Sequence, residues 1–252
     1  MACQNGFLEC VKSLVKFGAL SLDLEKSQTA FFDASANGFP DIVTFLLRQK
    51  EIDINKVNSN DMTALEIAVI NGQLEPVKVL IQNGAFENKT ENEIGDLFLA
   101  ACGSNNDLGI VKYLDEQMNI PYQTMGDTFM RQACKIESEE LVNFLIEKNC
   151  SFKNIKINDF NFTTKWTPFM TFLKNKGLDF MNVNSNVGVP IIIKTIKYGS
   201  MNSIKKLISE GVELNKEIID KYDLIKFSCA QGKTELFHLL IQYNPNMYDP
   251  TL

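Results

Sequence analysis

Histidine is nearly missing from this chain of 252 residues: His238 is the only one, and no catalytic serine or cysteine motif stands beside it. A nucleophile–histidine–carboxylate centre therefore has little to build on. The glycines form neither a Gly-x-Gly-x-x-Gly loop nor a Gly-Lys-Ser/Thr phosphate loop. Six cysteines contain no Cys-x-x-Cys pair and no Cys/His cluster, so no metal site is expected. No stretch approaches the roughly 18 apolar residues of a membrane span. With 25 basic against 31 acidic side chains, the chain lacks the basic excess that nucleic acid requires. There is no charged-then-apolar leader, so secretion is not indicated, and reduced thiols in an intracellular, cytoplasmic setting are expected. These absences predict a non-catalytic protein with no cofactor and no small-molecule ligand.

What is present is a phrase that returns about every 33 residues, which marks stacked supersecondary units. Its clearest copy runs from Thr63 to Gly72 and continues from Glu75 to Ala85. The apolar residue opening the second helix of each copy falls at Val11, Val43, Val77, Val111, Val142, Met170, Ile204 and Phe237. Three residues later stands a leucine: Leu14, Leu46, Leu80, Leu114, Leu145, Leu173, Leu207 and Leu240. This spacing draws one apolar stripe along a helix. Five residues before the ruler position Gly6, Gly38, Gly72, Gly199 and Gly232 supply the left-handed turn that ends the first helix. Nine before it, a small residue (Ala2, Ala34, Ala68, Ala133, Thr195 or Ser228) lets helices approach. No single copy buries its own apolar face, so neighbours must stack.

These phrases resemble ankyrin repeats, whose first helix begins with a Thr-Pro-Leu-His-like motif. Here it reads Thr29-Ala30-Phe31-Phe32, Thr63-Ala64-Leu65-Glu66 and Thr128-Phe129-Met130-Arg131, with degenerate copies at Pro190 and Asp223. The motif's histidine, which in the family bonds the loop backbone between repeats, is absent from every copy. The resemblance implies an all-α, ankyrin-type helical solenoid with extended loops or β-hairpin fingers. It forms a single array over 1–252, in approximate units 1–19, 20–52, 53–85, 86–119, 120–150, 151–180, 181–213 and 214–252. The first unit is truncated and the sixth irregular: the helix from Phe169 reads as a second helix, and Trp166 reads as a plug for the cramped segment before it. Cys3, Cys102, Cys134 and Cys229 stand beside the small residue, where cysteine serves as a small buried hydrophobe. Glu137, Glu139 and Glu140 read as acid complementing a helix N-terminus.

Ankyrin-like arrays recognise partners with loop tips and the inner face of the first helices. Carried onto this chain, the tips are Val57, Ser59, Asn60 and Met62, then Thr90, Asn92 and Glu93, then Tyr122, Thr124 and Met125. The inner helix positions are Ile70, Asn71 and Lys135. Val57, Met62, Ile70, Tyr122 and Met125 would together form an exposed apolar strip, as interfaces do. The expected function is a protein-interaction scaffold that binds another protein on its concave face. The alternatives are an architectural subunit of a larger assembly and a regulatory segment of a larger enzyme or channel.

Overall fold

A computed structural model describes all residues except 19–23, 50, 105–107, 153–154, 156–166, 179–187 and 244–252. Trp166, most of the segment before it and the tip of the fourth repeat's turn lie outside the described residues. The chain divides into two compact units, Met1–Cys150 and Ser151–Leu252.

The N-terminal unit holds nine of the described helices: α1 (Leu8–Lys16), α2 (Leu24–Ala36), α3 (Pro40–Leu47), α4 (Ala64–Ile70), α5 (Leu74–Gln82), α6 (Glu91–Gly103), α7 (Leu108–Gln117), α8 (Tyr122–Lys135) and α9 (Glu139–Glu147). First helices α2, α4, α6 and α8 pack on one another in order, and second helices α3, α5 and α7 form a parallel row. The ruler residues explain the layering. Val43, Val77 and Val142 are fully buried, as are Leu46, Leu80, Leu114 and Leu145. Leu14 departs from this pattern, at 52% exposed.

The first helices α2, α4 and α8 end in the same turn. The N–H five residues past the small residue donates back to its carbonyl, as in Phe39→Ala34 (3.0 Å), Gln73→Ala68 (2.9 Å) and Ser138→Ala133 (3.1 Å). The turn needs a left-handed residue, and Gly6, Gly38 and Gly72 provide one at φ 74°, 81° and 72°. In the fifth repeat Glu137 holds that conformation at φ 55°, followed by Ser138, which caps α9, with Glu139 and Glu140 in its first turn.

The connectors differ from the expected loops. Only the one before α4 is an extended finger among the described residues, closed by a bridge between Val57 and Thr63. Asn58 Oδ1 accepts the N–H groups of Asn60 (2.9 Å) and Met62 (3.1 Å), and Thr63 starts α4 through a capping box with Glu66. Thr90 and Glu93 form the same box before α6. That box starts the helix about two turns ahead of the register set by Thr63. Thr29, Thr128 and Pro190 likewise fall inside helices rather than opening them. The missing family histidine has a substitute in the second repeat. The buried Gln28 amide donates to Asp53 O (2.8 Å) and accepts from Asp53 N (3.2 Å), pinning the base of the finger.

The C-terminal unit contains α10 (Pro168–Asn175), α11 (Gly188–Tyr198), α12 (Met201–Ser209), α13 (Lys216–Lys221), α14 (Leu224–Ala230) and α15 (Thr234–Gln242). Helix α10 closes like a second helix. Leu178 N donates to Leu173 O (3.0 Å), as Ala85 does to Leu80 and Cys150 to Leu145. Gly232 takes the left-handed turn at φ 61°, whereas Gly199 stands outside the positive-φ glycines and leads into Ser200, the cap of α12. Two expectations shift in the last repeat. Leu236 and Leu240 are buried while Phe237 is half-buried, and Cys229 is exposed. Among the described residues no further helix pair packs on that side of α14 and α15.

Candidate functional site

The inner row of first helices carries a groove of about 360 Å³ lined by Ile70, Asp96, Leu99, Ala100, Gly103, Ser104 and Gln132. It exists because α6 is trimmed there to Ala100 and Gly103. The Gln132 amide fills the space a side chain at 103 would occupy, 3.0 Å from where its Cβ would stand. Ile70, at the end of α4, is 49% exposed, an unusual state for a residue of its size in this chain. Ile70, Gly103 and Lys135 are the same register position in consecutive repeats, two residues past the small residues Ala68, Ala101 and Ala133, and Ala100 and Gln132 lie one turn earlier. Asp96 is exposed and makes no hydrogen bond or ion pair within the described residues.

The thirteen expected site residues separate into three places. Ile70 lines the groove and Asn71 caps α4 beside it, its amide donating to Ile67 O (2.8 Å). Lys135 is exposed at the end of α8. Val57, Ser59 and Asn60 are exposed on the finger, whereas Met62 is half-buried beneath it. Thr90, Asn92, Glu93, Tyr122, Thr124 and Met125 are helical first-turn or cap residues rather than loop tips.

Several of that last group are committed to packing. Tyr122 stands edge-on to Phe98 (5.6 Å) and Phe129 (6.2 Å), and its hydroxyl donates to Asp115 Oδ1 (2.7 Å). Lys148 pairs with the same carboxylate and lies 5.9 Å from the Tyr122 ring centre. Burial, with the Asp115 hydrogen bond second, pushes the phenol's pKa up. The Met125 thioether rests on Gly95, which has no side chain to hold it off. Thr124 donates to Glu91 Oε1 (3.1 Å). The hydrogen bond from Lys89, joined by those from Thr90, draws the Glu93 carboxyl down to about 2. The anticipated apolar strip is therefore interrupted: of its five members only Val57 and Ile70 are among the exposed large hydrophobics. The expected set missed Asp96, Leu99, Ala100 and Gln132, which line the groove; their register relative to the positions equivalent to Ile70 is the signal that could have found them.

The two compact units differ in charge. Residues 1–150 carry 12 basic and 22 acidic side chains, a net of −10; residues 151–252 carry 13 and 9, a net of +4. A second apolar surface lies around α1, where Met1, Phe7, Leu14 and Phe17 are exposed beside a groove of about 460 Å³ lined in part by Cys3, Val11 and Leu46. Among the described residues no group of three His, Cys, Asp or Glu is placed to hold a metal ion, and no helix is long and apolar enough to cross a membrane.

Paired helices with a shared turn, small residues at fixed register and stacked neighbours define a helical repeat protein. Residues 1–91 match the family model for ankyrin repeats (3 copies). The all-α repeat fold of the described residues is consistent with the ankyrin type, and the family match itself covers residues 1–91. The chain is similar to Alpha-latrotoxin-Lg1a of Latrodectus geometricus, 28% identical over 219 residues, which is 82% of this chain and 15% of that relative. It is also similar to Alpha-latroinsectotoxin-Lt1a of Latrodectus tredecimguttatus, 30% identical over 129 residues, 49% of this chain and 9% of the relative. The chain thus spans a small part of each of these relatives. Ankyrin repeats are in general protein-interaction modules without catalytic activity.

Proposed function

We propose that the N-terminal unit is a non-catalytic scaffold that binds a protein partner along its inner helix row and finger. The observation that supports this most directly is Ile70, 49% exposed at the mouth of a groove floored by Leu99, Ala100 and Gly103. A large aliphatic side chain held open to water beside an apolar floor is a typical interface element. Val57, Ser59 and Asn60 on the finger and Asn71 and Lys135 on the row extend the surface. Thr90, Asn92, Glu93 and Thr124 form its outer edge, while Met62, Tyr122 and Met125 support it from below. Stacked helices keep the face pre-organised, so little ordering entropy is lost on binding. The helix pairs of the C-terminal unit keep the same spacing, which supports reading the whole chain as one array of about eight repeats. The partner is a protein rather than nucleic acid or a small molecule.

A second reading, an architectural subunit that docks through α1, rests on Leu14. Its seven counterparts at the same register are no more than 1% exposed, against 52% for Leu14. Affinity capture from the native source separates the two, comparing the parent with Val57→Asp/Ile70→Asp and with Leu14→Asp/Phe17→Asp. All four positions are exposed, so both variants are expected to fold. Loss with the first pair supports the inner face. Loss only with the second moves the site to α1. Undiminished capture by both refutes each reading.

A further inference from the structure

We infer that the groove of the N-terminal unit takes a polypeptide segment of net positive charge that seats one apolar side chain between Ile70 and Gln132. The inference rests on the reading above and adds the chemistry of the partner. The floor of Leu99, Ala100 and Gly103 has room for an aliphatic or aromatic anchor and offers an anchored polar group few partners. Asp96, at the rim, makes no hydrogen bond or ion pair among the described residues, so a cation placed there displaces no existing contact. The field behind it has the same sign. First helices α2, α4, α6 and α8 together carry seven acidic and three basic residues, in a unit of net charge −10. A basic segment is steered to such a face, and an acidic one meets like charge at the rim. Phosphate-rich partners, nucleic acid and anionic lipid alike, are disfavoured for the same reason.

The test uses the full chain and three short synthetic peptides followed by fluorescence anisotropy. One is Lys-rich with a central Leu, the second Glu-rich with the same Leu, and the third Lys-rich with that Leu replaced by Ser. The Lys/Leu peptide is expected to bind about tenfold more tightly than either of the others, and more weakly as salt rises. Asp96→Lys, a change at an exposed position, and Ala100→Phe, which fills the groove, should each weaken it about tenfold. Glu116→Lys makes the same charge change on α7 outside the groove and should alter binding less than about twofold. If Glu116→Lys weakens binding as much as Asp96→Lys, and Ala100→Phe does nothing, only the general field is felt and the inference fails. If the Glu-rich peptide binds as well and is lost with Ala100→Phe, the groove still binds protein but the partner's charge is wrong. Salt-sensitive self-association of the chain that the Lys/Leu peptide reverses would make a second copy the occupant and overturn a separate partner. Insensitivity of every peptide to both groove variants would remove the groove itself, and with it the inner-face reading.

Discussion

Gln28 is the residue whose replacement would show most clearly how this array manages without the family's histidine. Its side chain is 3% exposed and bridges both backbone polar groups of Asp53, 25 residues on, at 2.8 and 3.2 Å. Gln28→Met keeps the length and bulk of the side chain and removes both hydrogen bonds. A net bond of this kind contributes about 1 kcal/mol, and Asp53 lies where water can reach its freed groups, so the loss is about 2 kcal/mol. In a domain of this size that lowers the melting temperature by about 4–8 °C. The finger carrying Val57, Ser59 and Asn60 begins just past Asp53, so the opening is local as well as global. Amide hydrogen exchange at Asp53 should accelerate about thirtyfold, each 1.4 kcal/mol being a factor of ten. Capture through the inner face should weaken with it. An unchanged exchange rate at Asp53 together with an unchanged melting temperature would refute the idea that Gln28 pins this loop.

Three further outcomes follow from the geometry. Glu137→Gly relieves a left-handed non-glycine residue and should stabilise the N-terminal unit by about 1 kcal/mol in urea denaturation; a destabilised variant would show that the carboxylate matters more than the backbone. Burial, with Asp127 second, pushes the Cys150 thiol up to about 11, and burial pushes Cys102 up as well. The folded state then keeps protons that the unfolded chain sheds from about 9. Stability is full below that value and falls as pH rises through 11, and Cys150→Ala should flatten the decline measured by thermal melts. Cys10 and Cys229 are exposed while Cys3, Cys102, Cys134 and Cys150 are buried, so a thiol reagent should label two sites quickly and four only on unfolding. Rapid labelling of Cys102 would contradict the packing around α6.

Much of this molecule is determined by residues close together in the sequence. A small residue, a left-handed glycine and an i, i+3 apolar pair dictate a helix, a turn and a second helix. Because the bonds that close these turns are local, Ala34, Ala68 and Ser228 show the same pattern in two separate compact units. The capping box at Thr90 and Glu93 was equally local and equally readable: it is the Thr-x-x-Glu signal of Thr63 and Glu66, placed earlier in its repeat. Only the tertiary structure decided which apolar residues face water. Tyr122 and Met125 have the composition of an interface, yet Phe98, Asp115 and Gly95 from the neighbouring repeat claim them. Ile70 has the composition of a core, yet it stays open beside a groove where α6 presents the small residues Ala100 and Gly103 along with Asp96 and Leu99. Exposure of a side chain depends on what the next repeat places beside it, and in this chain that neighbour is some thirty residues away.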